Sequence, residues 1–207
     1  MLFLAFLGSC LLLAMIPGVS TAVIVRQTLR EGRASGLAAT LGNETGIFLW
    51  AMAAVFGLSA LVLASEAAYG TLKIVGAGVL VAMGAQSIWH ARRATPLPGL
   101  GPAPAGTPSR RRSYALGLAT CGANPKAAVF AMSFLPQFVP AGANVPVTLA
   151  LLAAVWVVVD LFWYVALIWT VGKAHAVFSR SSVRRRLEQI SGAVLIGLGI
   201  RLVVESR

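Results

Sequence analysis

Six stretches follow one another along this 207-residue chain, each long and apolar enough to cross a lipid bilayer. They fall at roughly 3–25, 36–63, 70–90, 114–136, 145–171 and 188–204. About 20 mostly apolar residues are needed to span the hydrocarbon as a helix. In lipid the backbone must satisfy its own hydrogen bonds, so only helices and closed barrels span it. The strict in-out alternation of a barrel strand is absent here. The predicted fold is therefore an all-α integral membrane protein of six transmembrane helices. Only 11% of the residues are charged, against about 25% in soluble domains. The first stretch, "MLFLAFLGSCLLLAMIPG", lacks the positive flank of a secretory signal and is read as a retained span.

The connections differ sharply in charge. Arg26, Arg30 and Arg33 lie in the first, Arg92, Arg93, Arg110, Arg111 and Arg112 in the third, and Lys173, Arg180, Arg184, Arg185 and Arg186 in the fifth. Thirteen of the 17 Lys and Arg are thus placed in alternate loops, while "ASEAAYG" and "VPAGANVP" carry only Glu66 between them. Basic loops stay in the cytoplasm, which puts both termini on the outer side. The net charge of +11 suits anionic lipid headgroups and is not read as a nucleic-acid surface.

The Pro/Gly-rich stretch 95–109, "TPLPGLGPAPAGTPS", builds no core and reads as a flexible cytoplasmic linker. With its basic flanks, about 92–112, it divides one transporter domain, 1–207, into repeats of three spans each, about 1–91 and 113–207. An odd number of spans per half makes the halves enter the membrane in opposite directions, so the predicted arrangement is two inverted three-helix repeats.

Each half carries a helix breaker in its first span: Pro17 with Gly18 in "LLLAMIPGVSTAVIV", and Pro125, after Asn124, in "CGANPKAAVF". A proline removes a backbone donor and frees carbonyls. Such breaks survive in a bilayer only where they face protein or a wet cavity. Paired interruptions in corresponding helices point to a transporter's binding site. Two unrelated proline kinks are the plainer alternative.

Ionisable residues near mid-membrane cost about 2.5–3.5 kcal/mol each on insertion scales and mark function. Three stand out: Glu44, beside Asn43 in "LGNETGIF"; Lys126, after the second break; and Asp160 in "WVVVDLFWY". The two carboxylates suit pairing with Lys126, binding a substrate ammonium, or carrying protons. A structural ion pair and, for Glu44, a side chain that snorkels to the interface are the alternatives. The glycine pairs Gly32/Gly36 and Gly42/Gly46 allow close helix approach. Trp50, Trp156, Trp163 and Trp169 read as packing or interface anchors.

Enzyme chemistry finds no foothold. His90 and His175 lie at helix ends with no nucleophile or metal partner, Cys10 and Cys121 are isolated within apolar segments, and no P-loop is present. No cofactor or metal is expected. A channel or lipid-handling protein remains the competing class to a carrier.

Four segments carry a family resemblance: "IPGVSTAVIVRQTLREGRASGLAATLG", "GLATCGANPKAAVFAMSFLPQFV", "VVVDLFWYV" and "RRRLEQISGAVLIGLGIRL". In them the chain resembles the lysine exporter and threonine/homoserine efflux family, the LysE/RhtB type, over nearly its whole length. The resemblance implies a bacterial inner-membrane exporter of amino acids or close derivatives, driven by the proton gradient. By position it assigns substrate contact to Pro17, Gly18, Asn124, Pro125, Lys126 and Asp160. Asn43 and Glu44 join the expected binding set from the residue pattern, with Asp160 and Glu44 as proton-coupling candidates. The partners implied are an amino acid, protons and the bilayer, with a second copy of the chain permitted. One departure is Val19 after Gly18, where the family usually continues with a second proline.

Overall fold

The computed structural model describes residues 2–15, 18–64, 66–93, 109–140, 142–178 and 181–204. Among them, all regular structure is helical. Eight α-helices run in order: α1 (Leu2–Met15), α2 (Val19–Glu31), α3 (Arg33–Ala64), α4 (Glu66–Arg93), α5 (Arg110–Gly122), α6 (Pro125–Val129), α7 (Val145–Phe178) and α8 (Ser181–Val204). A π-helical turn, Phe130–Phe134, and a 3-10 turn, Leu135–Phe138, continue α6. Within α7, Val145–Thr170 is 26 residues of membrane-spanning length and apolarity, about 39 Å at the helical rise.

Both expected interruptions fall in these elements. Phe3–Met15 and Val19–Glu31 pass together as one apolar span bent by 58°. Pro17 itself lies outside the described residues, as do residues 94–108 of the expected linker. The fourth span is not one helix over 114–136. It ends as α-helix at Gly122 and resumes at Pro125, where Asn124 caps α6 by accepting the Lys126 N–H at 3.0 Å. Pro at the first helical position suits this restart, because its missing donor would have no partner there. The later Pro136 coincides with the change from π to 3-10 winding. A second difference lies between the fifth and sixth spans. The sequence reading left 172–187 as a connection, but α7 runs to Phe178 and α8 begins at Ser181. Lys and Arg are good helix formers, so polarity alone does not end a helix that leaves the membrane.

α4 packs along α8, and α3 along α5, α7 and α2. Glycines make two of these seams. A side chain at Gly42 would strike the Tyr114 carbonyl, one at Gly117 the Ala39 carbonyl, and one at Gly46 the Cys121 side chain at 2.7 Å. Gly84 and Gly192 meet reciprocally, each facing the other's carbonyl oxygen. These are backbone-to-backbone contacts of the kind small residues permit in membranes. The main core gathers Phe6, Phe130, Phe134, Phe138 and Trp156.

Candidate functional site

The two breaks face one cavity. Its wall is Leu13 from the end of α1; Gly18, Ser20 and Thr21 from the start of α2; Asn43 and Ile47 from α3; Cys121, Asn124, Lys126 and Ala127 from the second break; and Trp156, Asp160 and Tyr164 from α7. The spacing explains the α7 contribution, since residues four apart share a helix face. The cavity measures about 30 Å³, room for roughly two waters and too little for an amino acid.

Its polar groups are incompletely paired within the protein. Asn43 Oδ1, Asp160 Oδ1 and Ser20 Oγ have no hydrogen-bond partner there, although Asn43 is only 2%, Asp160 4% and Ser20 7% exposed. Buried polar atoms are nearly always bonded, so several orphans around one small space suit a polar ligand. Thr21 Oγ1 and Tyr164 Oη lie 3.4 Å apart across the α2–α7 side.

Lys126 is half-buried, and its Nζ donates to the Leu13 carbonyl at 3.3 Å. That carbonyl lies four residues before Pro17 in the sequence, and a proline has no N–H to donate to it. It also belongs to the last turn of α1, where a cation suits the helix dipole. Among the described residues Lys126 has no carboxylate within ion-pairing distance, so the structural ion pair considered from sequence is not formed.

Of the residues singled out from sequence, Gly18, Asn43, Asn124, Lys126 and Asp160 line the cavity. Pro125 lies in the same turn but is exposed. Glu44 stands beside the wall. It is 5% exposed, accepts from Asn43 Nδ2 at 3.2 Å through Oε1, and leaves Oε2 without a partner. It does not snorkel to an interface. Of the tryptophans, Trp169 is exposed and stacks under Arg33 at 4.6 Å, as an interface anchor would. Trp156 instead packs on Phe130, 4.6 Å between centroids, and lines the cavity. Trp50 donates its indole N–H to the Cys121 carbonyl at 3.3 Å. Ser20, Thr21, Tyr164, Trp156 and Trp50 were not singled out as site residues. The orphaned carbonyls four residues before each proline were the signal that leads to Trp50.

Beyond the lining residues, α1 and α2 each carry a further set of contacts, two turns from Leu13 and from Ser20. Toward the α2–α5 end, Gln27 Nε2 donates to Ser113 Oγ at 2.9 Å, and the Ser113 hydroxyl and Ser109 N–H reach Glu31 Oε2 at 3.4 and 3.3 Å. Toward the other end, Phe6 stacks on Phe138 at 5.0 Å and Phe138 on Phe134 at 4.9 Å.

A sequence model of the LysE type translocators matches residues 11–206. The chain belongs to this family. This LysE type translocator is 27% identical to the membrane protein YrhP of Bacillus subtilis over 96% of both chains. It is 29% identical to the threonine efflux protein of Escherichia coli K12, over 99% of this chain and 98% of that one. It is 30% identical to the homoserine/homoserine lactone efflux protein of Salmonella typhimurium over 65% of this chain and 63% of the relative. No solved structure matches it.

Proposed function

We propose that this translocator is a secondary exporter of amino acids or close derivatives across the bacterial inner membrane, driven by the proton gradient. The observation that carries the reading is a cavity lined from both sides of the second helix break and from the residues flanking the first, with buried polar atoms that lack a partner within the protein. Relatives named for threonine and homoserine efflux support the substrate class. A small buried polar space, rather than a continuous pore, favours a carrier over a channel.

The inverted-repeat arrangement of six spans belongs to the same proposal. Its support is that α4 packs with α8 and α3 with α7, while α3–α5 on one side is answered by α1 and α2 against α7 on the other. A two-fold exchange of the halves would map these contacts onto one another. The charge pattern supports cytoplasmic basic loops and outer termini.

In this reading the substrate carboxylate lies between Lys126 and the start of α2. Gly18 caps α2 with no side chain, and the first N–H groups of a helix have no internal acceptor. The restart after Pro125 is less suited to this task, because there Asn124 already takes the Lys126 N–H. The ammonium then meets Asp160 Oδ1 and Asn43 Oδ1. Asp160 carries the coupling proton, with Glu44 behind Asn43 as the alternative carrier.

The test is efflux from a sensitised strain and from proteoliposomes across a panel of amino acids and dipeptides. Wild-type protein should move at least one amino acid against its gradient when a proton gradient is imposed. Asp160→Asn should lose gradient-driven efflux and keep substrate exchange, which moves no net proton. Full gradient-driven efflux by Asp160→Asn at normal protein levels would pass the coupling role to Glu44.

A further inference from the structure

We infer that Trp50 is a positioning residue for transport: its indole N–H bonds the Cys121 carbonyl, which also accepts the Asn124 N–H, and so holds the Asn124–Lys126 corner against the cavity. The inference rests on the exporter reading for its functional consequence, and on geometry alone for the bond itself.

A proline has no N–H to offer the carbonyl four residues before it. For Pro17 that is Leu13; for Pro125 it is Cys121. Both residues line the cavity. Here each of these carbonyls accepts from a side chain of the other half of the chain. Lys126 Nζ takes Leu13 O at 3.3 Å, and Trp50 Nε1 takes Cys121 O at 3.3 Å. The Cys121 carbonyl also accepts the Asn124 N–H at 3.0 Å. One carbonyl thus ties α3 to the turn that ends α5, and Asn124 in turn fixes the start of α6 through the Lys126 N–H.

Position on α3 supports the assignment. Asn43, Ile47 and Trp50 are spaced four and three apart, so the helix face that lines the cavity continues to Trp50. Gly46 lies between them and brings α3 against Cys121, where an added side chain would meet Cys121 Cβ at 2.7 Å and Sγ at 2.9 Å. The two donors differ in kind. The Lys126 ammonium is mobile and charged and can leave its carbonyl for a substrate carboxylate. The indole has one N–H, no charge and no place in the cavity wall. The first break is therefore the one a substrate can release, and the second is the fixed corner it binds against.

The chain's two cysteines, Cys10 and Cys121, give a direct measurement. In a Cys10→Ala background, cysteine labelled with carbon-13 at the carbonyl yields one isotope-shifted infrared band, that of Cys121. Trp50→Phe keeps the ring and removes the donor. It should move that band to higher frequency and raise the KM for efflux roughly tenfold with kcat little changed. Trp50→His keeps a ring N–H and should hold both the band and KM near wild type. An unmoved band in Trp50→Phe, or a moved band with unchanged KM, would overturn the inference, as would a Trp50→His protein that behaves like Trp50→Phe. A wild-type chain that exports nothing sinks the exporter reading instead, and the band then decides the bond by itself.

Discussion

Replacing Lys126 by Met keeps most of the side-chain length and removes both the charge and the donor. Two separable effects follow. The Leu13 carbonyl loses the bond it receives from Nζ at 3.3 Å. A hydrogen bond to a charged group contributes about 1.5–3 kcal/mol, and a stranded buried acceptor costs roughly 1–3 kcal/mol. Removing a half-buried cation returns part of this. A net loss of about 2 kcal/mol is expected, which in a chain of this size lowers Tm by roughly 4–8 °C. The second effect concerns ligand. A substrate present at about 100 times its Kd stabilises the folded state by roughly 2.7 kcal/mol. If Lys126 holds the carboxylate, Lys126→Met should erase most of the stabilisation given by the amino acid. The corresponding amino alcohol, which keeps the ammonium, should stabilise wild type and variant alike. Thermal unfolding in detergent with each compound reads all four combinations. Equal stabilisation of wild type by amino acid and amino alcohol would refute the carboxylate role. A variant that melts with wild type would refute the Leu13 bond as a stabilising contact.

Gly84→Ala places a methyl 2.6 Å from the Gly192 carbonyl oxygen, and Gly192→Ala one 2.5 Å from that of Gly84. Each should cost about 1–3 kcal/mol, and the double variant clearly less than the sum, because the first substitution opens the gap the second needs; additive losses in thermal unfolding would contradict a shared seam. Cysteines at Gly106 and Ser182 should react with an impermeant thiol reagent only from the cytoplasm, and one at Gly142 only from outside. Reaction of the Gly106 variant from outside would reverse the orientation.

The parts of the fold that were legible are those fixed by the cost of exposing backbone or charge to lipid. Pro125 and its neighbours announced a break because a proline within an apolar run has few tolerable settings, and the structure breaks the fourth span there. Asn43, Lys126 and Asp160 stood out because polar groups at that depth are expensive, and all three line one cavity. Ser20 and Thr21 carried no such mark, since hydroxyls in membrane helices commonly bond back to their own backbone, as Thr28 does to Ile24 at 2.8 Å. Tyr164 and Trp156 were hidden among apolar neighbours, although each lies one turn from Asp160. Which way Lys126 turns was not readable either. The sequence offers two carboxylates and an orphaned carbonyl as partners, and only the packing of α1 against the second break decides for the carbonyl. The extent of α7 and α8 was misjudged because basic residues end a membrane span without ending a helix.

The contacts that α2 makes through Gln27 and Glu31, and α1 through Phe6, are built of unlike material. Parting Gln27 from Ser113 and Glu31 from Ser109 exchanges protein hydrogen bonds for bonds to water, a trade that is nearly neutral in free energy. Parting Phe6 from Phe138 wets aromatic surface with nothing in return. In the proposed orientation the polar side faces the cytoplasm. In the proposed exporter, the polar contacts would part more readily than the aromatic ones, and the molecule at rest would open more often toward the cytoplasm. Release outward would need help from whatever free energy the bound substrate and proton supply. Such a difference would set which side the resting molecule opens to, while the direction of net flow would stay with the gradients of substrate and proton; exchanging aromatic for polar residues at Phe6 and Phe138 would shift that resting preference.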